Sequence, residues 1–157
     1  MSARGGVGPS PRAGRARIDV AREGVGGLAE SAVKTAVTAT LRSAGKRVAS
    51  VSITFVSAAA MRRMHGRHLG KRRLTDVIAF ALDNGGAVAG DVYISPDAAR
   101  KSAAGHGVTM REELTRLVVH GTLHVLGWDH PEGDRRTRSA MWRKQEALVA
   151  RLMGAPR

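Results

Sequence analysis

The chain has 157 residues, enough for one domain with its own core, and 43% of them are hydrophobic, which excludes a wholly disordered protein. The formal charge of +13 favours a polyanionic partner, most often nucleic acid, over a compositional bias of the source. Cysteine is absent, which excludes disulfides and thiolate metal sites, and no apolar run approaches the roughly 18 residues of a membrane span.

Residues 1–17 contain arginines but no apolar stretch, so we predict a disordered basic tail followed by a single domain over residues 18–153. Within the domain, alternating apolar residues predict strands, and apolar residues at three- and four-residue steps predict helices. In chain order these are a strand at Arg17–Val20, a helix at Leu28–Ala44, a strand at Val51–Phe55, a helix at Ala58–His68, strands at Val77–Leu82 and Val88–Ile94, a helix from Pro96 to about Ala104, a helix from Thr109 to Gly127 and a helix at Asp134–Leu152. Because helices and strands mix without regular β-α-β alternation, we expect an α+β domain with a small mixed sheet covered by helices.

Polar residues, glycine and proline mark several element boundaries. Ser95 followed by Pro96 predicts a helix start, since serine caps helices and proline suits their first position. Thr109 and Glu112 have the spacing of a capping box, which announces the next helix. The run Asp83–Gly86 predicts a turn between two strands. His106 is predicted to lie in a loop.

The stretch HGTLHVLGWDH holds three histidines within eleven residues. A helix turns about 100° per residue, so His120 and His124 share one face and can bind one ion. Gly127 can take the left-handed conformation that ends a helix, which brings His130 back as a third ligand. Three protein nitrogens and one open position characterise a catalytic zinc. The competing interpretation, three surface histidines at a helix end, does not account for the glycine.

The same histidine spacing occurs in the metzincin proteases, whose motif HExxHxxGxxH has a glutamate after the first histidine. That glutamate is the general base that activates water for peptide hydrolysis. Here Gly121 stands in its place and has no side chain that accepts a proton. The sequence therefore predicts a metal site without the usual protease mechanism.

The stretch VVHGTLHVLGWDH resembles the signature HGxLHLxGxDH of the YbeY family of bacterial endoribonucleases and ribosomal RNA maturation factors. Two further segments, LTDVIAF at Leu74–Phe80 and AGDVYIS at Ala89–Ser95, resemble the family's TDV and GD strands and occur in the same order. The similarity covers Val51–Leu152. One difference is Leu69, which stands where the family usually has an arginine. The candidates to replace that arginine are Arg67, Arg72 and Arg73.

The resemblance implies a zincin-like fold whose metal site lies on a central helix and its C-terminal turn, with one zinc ion per chain held by His120, His124 and His130. It implies a single-strand-specific endoribonuclease, a hydrolase of phosphodiester bonds, that acts in rRNA maturation at the 3′ end of 16S rRNA and in ribosome quality control. The implied partners are rRNA and the small ribosomal subunit in the cytoplasm, without a membrane or an organic cofactor.

Further candidate site residues are acids and a basic run. In a zincin-like arrangement Asp76 and Asp91 lie at strand ends near the metal, so either is a candidate general base or hydrogen-bond partner of a zinc ligand. Asp129 is either such a partner or only a turn former. Residues 62–73 hold six Lys or Arg and no acid, which predicts a surface that binds RNA. The six are Arg62, Arg63, Arg67, Lys71, Arg72 and Arg73.

Two histidines in the basic run are not expected to bind metal, and two functions other than RNA cleavage are compatible with the sequence. His65 and His68 are predicted to be RNA-facing or surface residues and not metal ligands. The alternative for His65 is that it turns inward with Met61 and Met64. One alternative function is a different metal-dependent hydrolase that acts on peptides, against which Gly121 argues. The other is a ribosome-assembly factor that binds RNA and uses its metal to brace the fold, which the missing arginine at Leu69 favours.

Overall fold

The computed structural model describes residues 16–45, 48–69, 75–84 and 87–154. Within these ranges the chain forms four strands, five α-helices and one short 3₁₀ helix. In chain order they are β1 Arg17–Arg22, α1 Glu30–Ala44, β2 Val48–Phe55, α2 Ala58–Leu69, β3 Val77–Asn84, β4 Ala87–Ile94, α3 Pro96–His106, α4 Met110–Val125, the 3₁₀ helix Gly133–Arg138 and α5 Ala140–Leu152.

The strands form one mixed sheet in the order β1-β2-β4-β3. β2 pairs in parallel with both β1 and β4, whereas β3 runs antiparallel to β4. Helix α4 is central, since it packs against β3 and β4 and is contacted in turn by α1, α3 and α5. The predicted α+β domain with a small mixed sheet covered by helices is confirmed.

The two faces of the sheet pack against different helices. On one face Ile53 and Val92 join α1, α4 and α5 in the main core, to which Val118 and Leu148 also belong. On the other face Ile78, which alternates with core-facing neighbours along β3, packs in a smaller cluster with residues of α2. The helix that carries the histidines and the helix that carries Arg62 and Arg63 therefore cover opposite faces.

Two glycines let α4 lie directly against β4. A Cβ atom at Gly121 would overlap Val92, and one at Gly90 would overlap Val125. Gly121 is buried on the side of α4 that faces the sheet. The position that holds the metzincin glutamate therefore has no room for a side chain in this fold, which explains the glycine by packing.

Two predicted helix starts are confirmed by their caps. The Ser95 side chain accepts a hydrogen bond from the Ala98 amide at 3.3 Å, and the Thr109 side chain accepts one from the Glu112 amide at 3.1 Å. The loop prediction for His106 is wrong. Helix α3 continues to His106 and ends at Gly107, whose φ of 64° is the left-handed conformation that closes a helix.

The start predicted for the last helix is also wrong. Residues Gly133–Arg138 form the 3₁₀ helix, and α5 begins only at Ala140. The Ser139 side chain accepts a hydrogen bond from the Trp142 amide at 3.1 Å, so Ser139 is the helix cap that the sequence-based boundary passed over. This late start leaves three arginines of the 3₁₀ helix exposed, namely Arg135, Arg136 and Arg138.

Some predictions fall outside the described residues. One is the predicted tail, which lies outside the described residues up to residue 15; its last predicted position, Arg17, instead opens β1. The other is the predicted turn, whose glycines 85 and 86 follow Asn84 at the end of β3. Among the described residues, no helix combines the length and the apolar character that crossing a bilayer requires.

Candidate metal centre

The three histidines of the motif converge at the end of α4. The Nε2 atoms of His120 and His124 lie 3.1 Å apart, and the ring of His130 lies 5.1 Å from each of the other two rings, measured between centroids. One ring nitrogen of each histidine lies within 4.8 Å of the others. The spacing predicted a shared site, and the structure brings all three side chains to it.

The chain reaches His130 through a Schellman ending of α4. The Trp128 amide donates to the Leu123 carbonyl at 3.0 Å, and the Gly127 amide donates to the His124 carbonyl at 2.9 Å. Gly127 has a φ of 94°, a conformation that side-chain-bearing residues rarely adopt. The helix end therefore positions the third ligand, as the glycine in the motif predicted.

Every ring in the cluster has its Nδ1 facing an oxygen acceptor. His120 donates to Gln145 Oε1 at 2.7 Å, His124 to the Trp128 carbonyl at 3.0 Å, and His130 to the Pro131 carbonyl at 2.9 Å. An oxygen acceptor requires the proton on Nδ1, so the lone pair of each neutral ring is on Nε2.

Gln145 itself is oriented by a charged network. Its amide nitrogen donates to Glu146 Oε2 at 3.2 Å, and because a carboxylate only accepts, the amide oxygen must face His120. Glu146 in turn accepts hydrogen bonds from Nε and Nη2 of Arg116, at distances of 2.9 to 3.2 Å. Arg116 also pairs with Glu112 and Glu113. This series of hydrogen bonds fixes the position of the His120 ring from behind.

The electrostatics keep the rings in the form that binds metal. Burial, together with the neighbouring His124 and His130, lowers the pKa of His120 to about 4. Burial also lowers the pKa of His124, with a further contribution from His130. Near pH 7 these two rings are therefore neutral, which is the ligand form of imidazole.

The donor set fits a first-row divalent cation such as zinc. Unprotonated Nε2 atoms that face one another repel unless a cation lies between them, and imidazole suits zinc, copper, iron and nickel. Among the described residues, no fourth His, Cys, Asp or Glu joins the three histidines. Three protein ligands leave coordination positions open, as in catalytic and not structural zinc sites.

The two candidate bases lie on different sides of the sheet. Asp76 precedes β3 and lines the same cleft as His120 and His124. Burial raises the pKa of Asp76, Glu113 adds to this effect, and Arg136 opposes it. Asp91 instead accepts a hydrogen bond from Ser52 at 2.6 Å on the face opposite α4. The structure brings Asp76 to the histidines and does not bring Asp91 there.

Asp129 acts on the turn that carries the third histidine. Its Oδ1 accepts the backbone amide of His130 at 2.8 Å, and its side chain is exposed. The turn-former interpretation therefore describes its contacts. Trp128, between Gly127 and Asp129, packs against the main core, and its ring lies 5.3 Å from Lys144 Nζ.

The predicted basic surface is only partly described. Arg62, Arg63 and Arg67 are exposed on α2, whereas Lys71, Arg72 and Arg73 lie outside the described residues. Leu69 is the last residue of α2. Of the two predicted positions of His65, the structure shows the inward one, and His65 also lines the histidine cleft. Its residual exposure is 7%, because it lies on the same side of α2 as the buried Met61.

A cleft of about 1300 Å³ contains the histidine cluster, and the 3₁₀ helix forms one of its walls. Arg136 and Arg138 line it, and Arg136 lies close enough to His120 and Asp76 to affect the pKa of both. The sequence analysis assigned Arg136 to a helix and did not identify Arg136 or Gln145 as residues of the site. A polar residue among the inward positions of the last helix was the available signal for Gln145.

Comparisons with known proteins show which family this chain resembles. The family model described as "Endoribonuclease YbeY" matches residues 17–153. A relative from Geobacillus kaustophilus with that name is 39% identical over 116 residues, which are 66% of this chain and 73% of the relative. Another from Desulfitobacterium hafniense, with the same name, is 35% identical over 137 residues, 80% of this chain and 84% of the relative.

A solved structure shows the same architecture. A solution structure of a protein from Thermotoga maritima matches with a TM-score of 0.60 and 27% identity, over 87% of this chain and 89% of that one. Fold and donor set together define an α+β protein with a histidine-ligated metal site. The chain belongs to the YbeY family, and the resemblance seen in its motifs is confirmed.

Proposed function

We propose that this chain is a zinc-dependent endoribonuclease that cleaves single-stranded RNA during rRNA maturation. One observation carries the proposal: three histidine Nε2 atoms, each freed by an Nδ1 hydrogen bond, face one another in a cleft without a fourth described ligand. Membership of a family whose members are named endoribonucleases supports the reaction.

The cleft supplies the groups that phosphodiester hydrolysis needs. A zinc ion held by His120, His124 and His130 supplies Lewis acidity, which lowers the pKa of water and stabilises negative charge on a phosphoryl oxygen. Asp76 is our candidate for the general base that takes the proton of the attacking water. Its raised pKa suits that role, because a base works best when its pKa is near the operating pH.

The proposed substrate, partner and location rest on the charge of the chain and on its family. The formal charge of +13 and the exposed Arg62, Arg63 and Arg67 support RNA binding, in which phosphate contacts dominate affinity. We propose that the substrate is precursor rRNA near the 3′ end of 16S rRNA, that the partner is the small ribosomal subunit, and that the protein acts in the cytoplasm and in ribosome quality control.

The test compares RNA cleavage by the zinc-loaded protein and by His124→Ala. We expect cleavage to fall to background in the variant, since the site loses one of three ligands, while circular dichroism shows an unchanged fold. His106→Ala serves as the matched control for metal content, because His106 lies outside the cluster and the variant should keep its zinc. Equal cleavage by wild type and His124→Ala would rule out this mechanism and point to a contaminating nuclease.

Two other results would change the assignment. Tight rRNA binding at physiological salt without cleavage by the zinc-loaded wild type would favour the assembly-factor function. Zinc-dependent turnover of a peptide substrate would favour the other hydrolase.

A further inference from the structure

A second cavity, of about 340 Å³, adjoins the histidine cleft. The two share Asp76, His120 and Arg136 as lining residues. We propose that this cavity is a subsite for one unpaired RNA base, from a nucleotide adjacent to the phosphate that is cleaved. The inference rests on the proposed function, because it takes the substrate in the cleft to be RNA.

The size and position of the cavity suit a single base. Its volume falls at the lower end of the range of roughly 300–1,000 Å³ that small-molecule pockets occupy. Because its walls continue into the cleft, an RNA strand that places a phosphate at the histidines can turn the neighbouring base into the cavity. A base held there has its pairing edge inside the protein. The subsite thereby gives a physical reason for cleaving single strands and not duplexes.

The lining of the cavity includes an arginine that lies over an aromatic ring. The guanidinium carbon of Arg136 lies 5.6 Å from the centroid of the Trp142 ring, and both side chains line the cavity. Guanidinium planes and aromatic rings are the two kinds of surface on which proteins stack unpaired bases. Arg136 is exposed and lines both the cavity and the cleft, so its charge, which also acts on Asp76, lies where the adjoining phosphate would bind.

The residues that line the cavity also include hydrogen-bond acceptors. The carboxylates of Glu113 and Glu146 line the cavity, and Arg116 holds both of them in place. A carboxylate has about four acceptor sites. Glu146 already accepts hydrogen bonds from Arg116 and Gln145, whereas Glu113 accepts one from Arg116 and one from Ser102 and can accept more. Adenine, cytosine and guanine carry an exocyclic amino group that can donate to these oxygens, whereas the pairing edge of uracil has a single donor, N3–H, between two carbonyl oxygens that a carboxylate repels. The subsite should therefore favour a base with an amino group over uracil.

The first experiment needs no protein variant. An abasic nucleotide is moved step by step through a short single-stranded RNA, and kcat/KM is measured with the zinc-loaded wild-type protein. We expect a loss of about ten-fold when the abasic position is next to the cleaved bond, the order that one stacked base contributes. Uridine at that position should give a smaller loss. If the abasic nucleotide has no effect at any position while cleavage continues, the subsite does not exist and the proposed function stands.

A plugged cavity provides the second test. Val108 lines the cavity, is half-buried and is not one of the three metal-site histidines, so Val108→Phe should fill the cavity and leave all three of those side chains in the protein. This variant should cleave intact and abasic RNA at the same rate, since neither can use the subsite. Val25→Phe is the matched control, because Val25 lines a separate groove together with Pro96 and Met110. It should discriminate between the two RNAs as the wild type does. If Val108→Phe does not fold, Trp142→Leu makes the same comparison.

Binding of a non-cleavable RNA separates the two proposals. A strand with methylene groups in place of the bridging ester oxygens has no P–O bond that attacking water can break. It is titrated, with or without the abasic nucleotide, into the zinc-loaded wild type and into both valine variants. A preference of about ten-fold for the intact strand, lost only in Val108→Phe, supports the subsite even if no RNA is ever cleaved. Equal affinities in all three proteins would overturn the subsite whatever the outcome of the cleavage assay.

Discussion

The two faces of the sheet contain residues that look equivalent in the sequence but face different surroundings. On the α4 face, the histidine cluster lies in a cleft with Asp76 at its edge. On the α2 face, Asp91 forms a hydrogen bond with Ser52, and the sheet separates it from the cluster. Both acids lie in segments that resemble family motifs. The comparison shows that the face of the sheet, and not proximity along a motif, decides which acid lies in the cleft with the histidines.

Replacing each of the two acids by asparagine tests whether only Asp76 takes part in RNA cleavage. We expect Asp76→Asn to lower kcat of RNA cleavage by about 100-fold or more, because the base that takes the proton is lost. Asp91→Asn keeps an oxygen that accepts from Ser52, so it should leave cleavage unchanged and cost at most about 1 kcal/mol of stability. Steady-state kinetics at saturating zinc tests both variants. Equal losses would show that the face of the sheet does not separate their roles.

The next largest expected effect is on zinc affinity, and it comes from the hydrogen bond between Gln145 and His120. Gln145→Ala removes the acceptor of the His120 Nδ1 proton, and losing such a partner typically costs 10- to 100-fold in metal affinity. Gln145→Glu keeps an acceptor and should retain zinc affinity at the wild-type level or above. Competition with a zinc chelator measures both. If Gln145→Ala binds zinc as tightly as wild type, the His120 ring does not depend on this hydrogen bond.

The charged network behind Gln145 should matter for stability as well. Arg116→Met leaves the carboxylate of Glu113, whose side chain is 6% exposed, without its ion pair, and we expect a loss of about 3 kcal/mol. Arg100→Met is the matched control. Its pair with Asp97 is exposed on both sides, so the loss should stay below about 1 kcal/mol. Urea unfolding of the two variants makes the comparison, and similar losses would contradict the account of the network.

The metal ligands could be predicted because their geometry is local. The helical period sets His120 against His124, and Gly127 ends the helix in a motif that returns His130, all within eleven residues. The mixed sheet also followed from local apolar patterns. The outer parts of the site depend on tertiary packing. Gln145 reaches His120 across 25 positions of sequence, and no local pattern encodes that contact.

The wrong predictions for Asp91 and Arg136 also concern positions that tertiary packing decides. The face on which Asp91 lies depends on the strand register, which the alternation of side chains alone did not determine. The position of Arg136 depends on Ser139, which caps α5 and ends the 3₁₀ helix before it. Because α5 begins at Ala140 and not at the predicted Asp134, Arg136 lies on the wall of the cleft and not on the predicted helix.

The central claim is that three histidine nitrogens share one zinc ion and leave a position open. X-ray absorption at the zinc edge, on protein with one bound zinc per chain, tests it most directly. The account predicts three imidazole nitrogens at about 2.0–2.1 Å together with oxygen from solvent. A zinc surrounded by four protein ligands, or one that keeps the same spectrum in His124→Ala, would contradict it.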